Sequence, residues 1–183
     1  MLNKYAIIRV IEHVLCNPTK RFSIRELARI TGLSVNASRY ALEFMYKKDL
    51  VKLEKIGRTY QYQANLDNYI ARQWKILFSL EEIENVVKMI LETERSILNI
   101  ILYGSVAIGK DDKNSDIDIL VIADTDMKGK KVIAVAAHGT KREVNISIYS
   151  PQEWRVKASE DKIFYEHVIV DSIALYGEKP VVL

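Results

Sequence analysis

Near its start the chain places apolar side chains at Ala6, Ile7, Val10, Ile11 and Val14, the three-and-four spacing of one helical face. A helix is expected over residues 3–15. Asn17-Pro18 ends it, because the residue before a proline is driven out of the α region. Ser23 followed three residues later by Glu26 forms a capping box, opening a short helix to about Ile30. After a turn at Thr31-Gly32, Ser34 caps a third helix over residues 35–48, with Leu42, Met45 and Tyr46 facing inward. Leu50-Val51-Lys52-Leu53 and Thr59-Tyr60-Gln61-Tyr62 read as strands around a Gly-containing turn over Glu54 to Arg58.

Helical spacing returns over residues 67–78, with Ile70, Trp74 and Leu77 on one face and Trp74 as a packing anchor. Ser79 with Glu82 is a second capping box. It predicts a fresh helix start carrying Ile83, Val86, Val87, Ile90 and Leu91. The pattern then changes to short, nearly continuous apolar runs over residues 97–103 and 116–122, and a strand over 143–149. Pro151 opens a helix expected to reach Glu166, and residues 167–176 read as a closing strand before Gly177. The fold class is α+β in two domains: residues 1–65, a helical connector 66–79, and a mixed sheet with flanking helices over 80–183.

Seven glycines and three prolines leave little room for long linkers. Cys16 is the sole cysteine, which excludes an intramolecular disulfide and a cysteine metal cluster. It is expected as a small buried residue of the first helix. The first residues do not resemble a secretory leader, and no apolar run has the length of a membrane span. The expectation is a cytoplasmic protein with no membrane partner.

Charge is unevenly placed. Residues 1–65 hold 12 Lys and Arg against 5 Asp and Glu, whereas the remainder holds 15 against 19. A basic front half points to a polyanion partner.

Two short helices around a Gly-containing turn, followed at once by a hairpin, resemble the winged-helix family of transcription regulators over residues 3–65. The resemblance implies that the third helix enters the DNA major groove and the hairpin touches the backbone. By position, Asn36, Ser38 and Arg39 would face bases or phosphates, and Lys55 and Arg58 phosphates. Winged-helix proteins often pair through flanking helices, so a homodimer is expected.

In the back half, Asp116 and Asp118 are separated by one residue of a strand. Alternation therefore sends both to one side, with Cα atoms about 7 Å apart. Their oxygens can converge on hard divalent cations such as Mg²⁺. Gly104-Ser105, between a strand and a helix, supplies a turn whose backbone N–H groups can approach phosphates, with the Ser105 hydroxyl as a further donor. A phosphate cradle beside paired carboxylates is what metal-assisted nucleotidyl transfer needs.

Leu102-Tyr103-Gly104-Ser105-Val106-Ala107-Ile108-Gly109, followed by Ser115-Asp116-Ile117-Asp118-Ile119-Leu120-Val121, resembles the signature of the polymerase β-like nucleotidyltransferases, whose small form is the minimal nucleotidyltransferase. The resemblance implies transfer of a nucleoside monophosphate from an NTP, with ATP the expected nucleotide and two Mg²⁺ ions. It makes Asp116 and Asp118 catalytic metal ligands and Gly104 and Ser105 phosphate binders. Two departures stand out. Asn145 occupies the position of the family's third carboxylate, leaving either its carbonyl or Glu143, two residues earlier, as a further ligand. Ile108 replaces the usual arginine, with Lys110 as the nearby cation. Asp111, Asp112, Asp124 and Asp126 read as solvated loop acids.

Two functions follow. One is an Mg²⁺-dependent nucleotidyltransferase acting on a protein or other small acceptor and coupled to DNA binding. The alternative is a winged-helix regulator that senses a nucleotide through a degenerate transferase domain. Because minimal transferases of this family include antitoxins, a toxin–antitoxin component is a third possibility. The intact Gly-Ser and Asp-x-Asp favour the first, and Asn145 the second.

Overall fold

A computed structural model describes residues 5–124 and 129–182. The beginning of the expected first helix, at Asn3, and Asp126 lie outside these. The chain divides into two compact units, Met1–Glu81 and Glu82–Leu183.

In the first unit, helices α1 (Ala6–Leu15), α2 (Ile24–Thr31) and α3 (Val35–Lys47) are followed by the hairpin strands β2 (Val51–Ile56) and β3 (Thr59–Ala64). A two-residue strand, β1 (Arg21–Phe22), pairs with β3, giving an antiparallel sheet of order β1-β3-β2. The Ser23 hydroxyl accepts from the Glu26 N–H at 3.3 Å, and the Glu26 carboxylate accepts from the Ser23 N–H. These bonds satisfy two orphan donors of α2. Ile56 faces Thr59 across Gly57-Arg58, and Gly57 has φ +60°. A positive φ at the first position of a two-residue hairpin loop matches the twist of the flanking strands and favours glycine. Val10, Val14, Leu15, Leu27, Leu42 and Met45 are fully buried and join Phe22 in one core.

Three expectations here are corrected. Tyr46 is 53% exposed, because Leu42 and Met45 already fill the inward face of α3. Ser38 is fully buried rather than facing outward. It lies three and four residues before Ala41 and Leu42, on the same inward stripe. Cys16 caps the end of α1 and is only half-buried.

The two helices expected around Ser79 are one, α4, from Tyr69 to Thr93. A capping box acts only where the backbone N–H groups lack helical partners. No Gly or Pro interrupts residues 69–78, so the helix runs straight through a buried Ser79. Ala71 and Phe78 join the first core, with Trp74 packed against it and 5.8 Å from the Phe78 ring. Ile70 and Leu77 remain exposed. In the second half of α4, Ile83, Val86 and Ile90 are buried.

The second unit holds a four-stranded mixed sheet. Its strands are β4 (Ile97–Tyr103), β5 (Ile117–Ala123), β6 (Val144–Tyr149) and β7 (Ile173–Tyr176), in the order β6-β5-β4-β7. Only β5 and β6 run parallel; the other pairs are antiparallel. Between them come the single turn α5 (Gly104–Ala107), α6 (Gly129–Gly139), α7 (Pro151–Glu160) and α8 (Lys162–Val170). β5 is buried at nearly every position, as a central strand covered on both faces must be. Trp154 of α7 and Val168 of α8 pack on Ile101, Leu120 and Ile122, flanked by Tyr103, Tyr149 and Phe164.

The expected long helix after Pro151 breaks at Asp161, whose carboxylate caps α8 by accepting from the Phe164 N–H at 3.1 Å. Residues 167–170, read as strand from their β-branched side chains, therefore finish a helix. Here packing of Val168 into the aromatic layer outweighs local preference. Among the described residues no helix is long and apolar enough to cross a membrane.

Candidate functional site

The chemistry gathers at one end of the second unit's sheet, on three adjacent strands. Tyr103, last residue of β4, is the register partner of Asp118 on β5, and Asp118 is in turn the partner of Asn145 on β6. Cross-strand partners project to the same face. The row therefore sets the turn after Tyr103, the carboxylate and the amide side by side. Asp116 stands just before β5, one alternation earlier.

The two aspartates do converge. Asn145 Nδ2 donates to Asp116 Oδ2 at 3.3 Å and to Asp118 Oδ1 at 3.3 Å. One amide thus clips both carboxylates together. Asp116 and Asn145 are exposed, whereas Asp118 is half-buried. Burial pushes the Asp118 carboxyl above its ordinary range; the hydrogen bond from Asn145 works against that shift and the charge of Asp116 adds to it. Burial also raises the Tyr103 hydroxyl, with hydrogen bonding to Ser147 opposing and the Asp118 charge reinforcing.

Gly104 closes the other side. Its φ is +75°, and a Cβ built on it would lie 2.5 Å from Asp118 Oδ2. Only a residue without a side chain lets the backbone turn this close to the carboxylate. The Lys110 N–H donates to the Ser105 carbonyl at 2.9 Å, which folds the following segment back. Ser105 is half-buried, and Lys110, five residues on, is exposed. α5 is one turn of four residues, too short for the macrodipole expected of a full helix. As the first turn of a helix, it leaves backbone N–H groups without intrahelical partners.

Arg142, which the sequence did not single out, holds this end together. Its guanidinium pairs with Asp111 at 3.1 Å and Glu82 at 3.7 Å, and donates to the Ser115 carbonyl at 2.8 and 2.5 Å. Asp111, expected in solvent, is 3% exposed. A carboxylate in a loop can be buried when an arginine fork meets it. Because Ser115 precedes Asp116, the fork also fixes where the carboxylate pair begins. The available signal was the position of Arg142, just ahead of the strand that runs beside β5.

The donor set suits a hard divalent cation: two carboxylates and an amide that can present oxygen, with no sulfur or imidazole among them. Among the described residues no group of three His, Cys, Asp or Glu is placed to hold a metal. The Glu143 side chain is exposed and does not complete such a group. Its carbonyl instead accepts from the Ile117 N–H at 2.9 Å.

In the first unit, Asn36 and Arg39 lie three residues apart on the exposed side of α3, and Lys55 and Arg58 on the exposed hairpin. Lys55 faces Tyr60 across the strands, its ammonium 6.0 Å from the ring. Burial raises the Tyr62 hydroxyl above its ordinary range, with the charge of Glu43 adding to the shift and that of Arg39 opposing it. Tyr40, 72% exposed, is an aromatic on α3 that charge counting passed over.

Three solved structures resemble parts of the chain. One is a toxin–antitoxin complex with AMP-PNP, at 22% identity and a TM-score of 0.40, covering 52% of this chain and 73% of that one. Another is a candidate nucleotidyltransferase from Sulfolobus solfataricus, at 15% identity and a TM-score of 0.41, covering 65% and 100%. The third is TrmBL2, an archaeal chromatin protein with a novel mode of DNA binding, at 12% identity and a TM-score of 0.28, covering 90% and 70%. No curated protein matches the sequence. The family model described as polymerase beta, nucleotidyltransferase, matches residues 85–179, more than half of the chain and the whole of the carboxylate site. This protein belongs to the polymerase β nucleotidyltransferase family.

Proposed function

We propose that the second unit transfers a nucleoside monophosphate from an NTP, with ATP the expected donor, to a hydroxyl of a protein or small acceptor. The observation that supports this most is the convergence of Asp116 and Asp118 beside the Gly104 turn. In the reaction an acceptor oxygen attacks the α-phosphorus, the bond to the bridging oxygen breaks, and pyrophosphate leaves as the acceptor loses its proton. Asp116 and Asp118 would hold the divalent cation, and the N–H groups of the Gly104-Ser105 turn would receive phosphate oxygens. When bound, a cation such as Mg²⁺ supplies charge that orients the triphosphate and stabilises the departing pyrophosphate. Lys110 would approach the outer phosphates. Incubation with Mg²⁺, α-labelled NTPs and cell extract tests this: label should appear on an acceptor and vanish with Asp116→Ala. Nucleotide binding without transfer under any divalent metal would favour the sensing reading instead, which Asn145 supports because it carries no charge and cannot act as a base.

For the first unit we propose a winged helix that binds DNA. Asn36 and Arg39 on α3 and Lys55 and Arg58 on the hairpin are all exposed, which supports it. A duplex shift that survives removal of residues 1–65 would refute this assignment. Exposed Ile70 and Leu77, seven residues apart on α4, support a homodimer. Light scattering of Leu77→Glu tests that pairing, and an unchanged mass would reject it.

A further inference from the structure

We infer that Asn145 makes this a site for one divalent cation, with an amide that clips the two carboxylates and can turn its oxygen to the ion; the inference rests on the transferase reading above. Two carboxylates drawn to within reach of a single Nδ2 repel each other unless positive charge lies between them. The partial charge of the amide hydrogens does that here. The register of β5 and β6 fixes the arrangement, since Asp118 and Asn145 are direct partners. The amide has an opposite end. Half a turn about its terminal torsion, which is soft, replaces the donor Nδ2 with the acceptor Oδ1. Asn145 is exposed, so its amide is not enclosed by the core. Asn145 can therefore donate to the carboxylate pair or, once turned, serve as a neutral oxygen ligand to an ion held there.

The charge count sets the number of ions. Asp116 and Asp118 supply two negative charges, Asn145 none, and no third acid joins them among the described residues. One or two carboxylates with substrate phosphates are enough for a single Mg²⁺. A second ion would add two positive charges to a protein site already neutralised by the first.

The test uses the full chain and Mn²⁺ alone, titrated by calorimetry and by the free Mn²⁺ signal in electron paramagnetic resonance. The wild type is expected to bind one Mn²⁺ per chain. Asn145→Asp should bind a second, or hold the first at least about tenfold more tightly, because a full charge replaces a dipole. Two equivalent Mn²⁺ ions on the wild type, or identical isotherms for the two proteins, would overturn the inference. In a second measurement, Mg²⁺ added to the wild type should move the Asn145 side-chain amide resonance, assigned by its loss in Asn145→Ala. A resonance that stays still while Mg²⁺ binds removes the rotating amide. Asp118→Ala separates the two levels. If Mn²⁺ binding survives that change, the transferase reading of the site fails; if it is lost while Asn145→Asp matches wild type, only the amide inference fails.

Discussion

Gly104 approaches Asp118 so closely that a methyl group on its Cα would stand 2.5 Å from the carboxylate oxygen. Gly104→Ala meets two obstacles, the clash and the positive φ. The left-handed backbone alone costs about 1–2 kcal/mol for a residue with a side chain. Displacing Asp118 by about 1 Å is expected to lower transfer on the order of a hundredfold. Thermal melts and label transfer measure both losses, and an active Gly104→Ala would show that the turn does not form the cradle.

Arg142 meets Asp111 where their side chains are only 11% and 3% exposed. Removing one partner of such a pair leaves the other charge in a poor environment. Arg142→Met is therefore expected to cost about 3 kcal/mol, and adding Asp111→Leu to recover part of that. Denaturant unfolding of both variants checks it. A double variant no more stable than the single one would mean that Asp111 depends on Arg142 little.

Asp118 also predicts a pH signature. Its folded carboxyl keeps a proton to higher pH than the unfolded one, because it is partly buried and beside Asp116. Between those two values the folded state binds more protons. The stability this group contributes is thus present at low pH and lost as pH rises through the raised folded value. Asp118→Asn cannot ionise but keeps an oxygen for Asn145. In chelator-treated protein it should raise Tm at about pH 7 and leave it nearly unchanged at about pH 3. The same increment at both values would rule out ionisation as the cause.

Ser38 and its neighbour should behave oppositely. The Ser38 hydroxyl is buried with no hydrogen-bond partner among the described residues. Ser38→Ala is expected to stabilise the protein by about 1 kcal/mol and to leave duplex affinity unchanged. Arg39→Ala and Arg58→Ala should weaken duplex binding, each lowering the salt slope by about 1 if the side chain contacts a phosphate. Fluorescence anisotropy over a salt series separates them, and a DNA defect in Ser38→Ala alone would reverse the assignment.

These residues also show what the sequence could express. Ser23 with Glu26, a Gly-containing hairpin turn, and Gly104-Ser105 ahead of Asp116 and Asp118 announce local geometry, because each depends on residues close together in the chain; the turn read as Glu54 to Arg58 is only Gly57-Arg58, since strand pairing extends β2 to Ile56. The capping box at Ser79 has the same spelling and no cap, since continuous helical bonding upstream leaves nothing to satisfy. Residues 167–170 look like a strand until Asp161 caps the helix that contains them. The burial of Asp111 and the clip made by Asn145 depend on which strands lie side by side. The parallel register of β5 with β6 brings Asn145 across 27 positions to Asp118. No spacing rule within one segment carries that information.

The pairing of Tyr103 with Asp118 unites both halves of the site through bonds between neighbouring strands, independently of the peptide that links them in sequence. Lys113 and Asn114 lie exposed at the tip of that peptide. An inserted tether or a grafted recognition module there would hang from the rim while the carboxylates keep their places. New acceptor specificity could be acquired by elaborating one loop, with the phosphate chemistry left as it is.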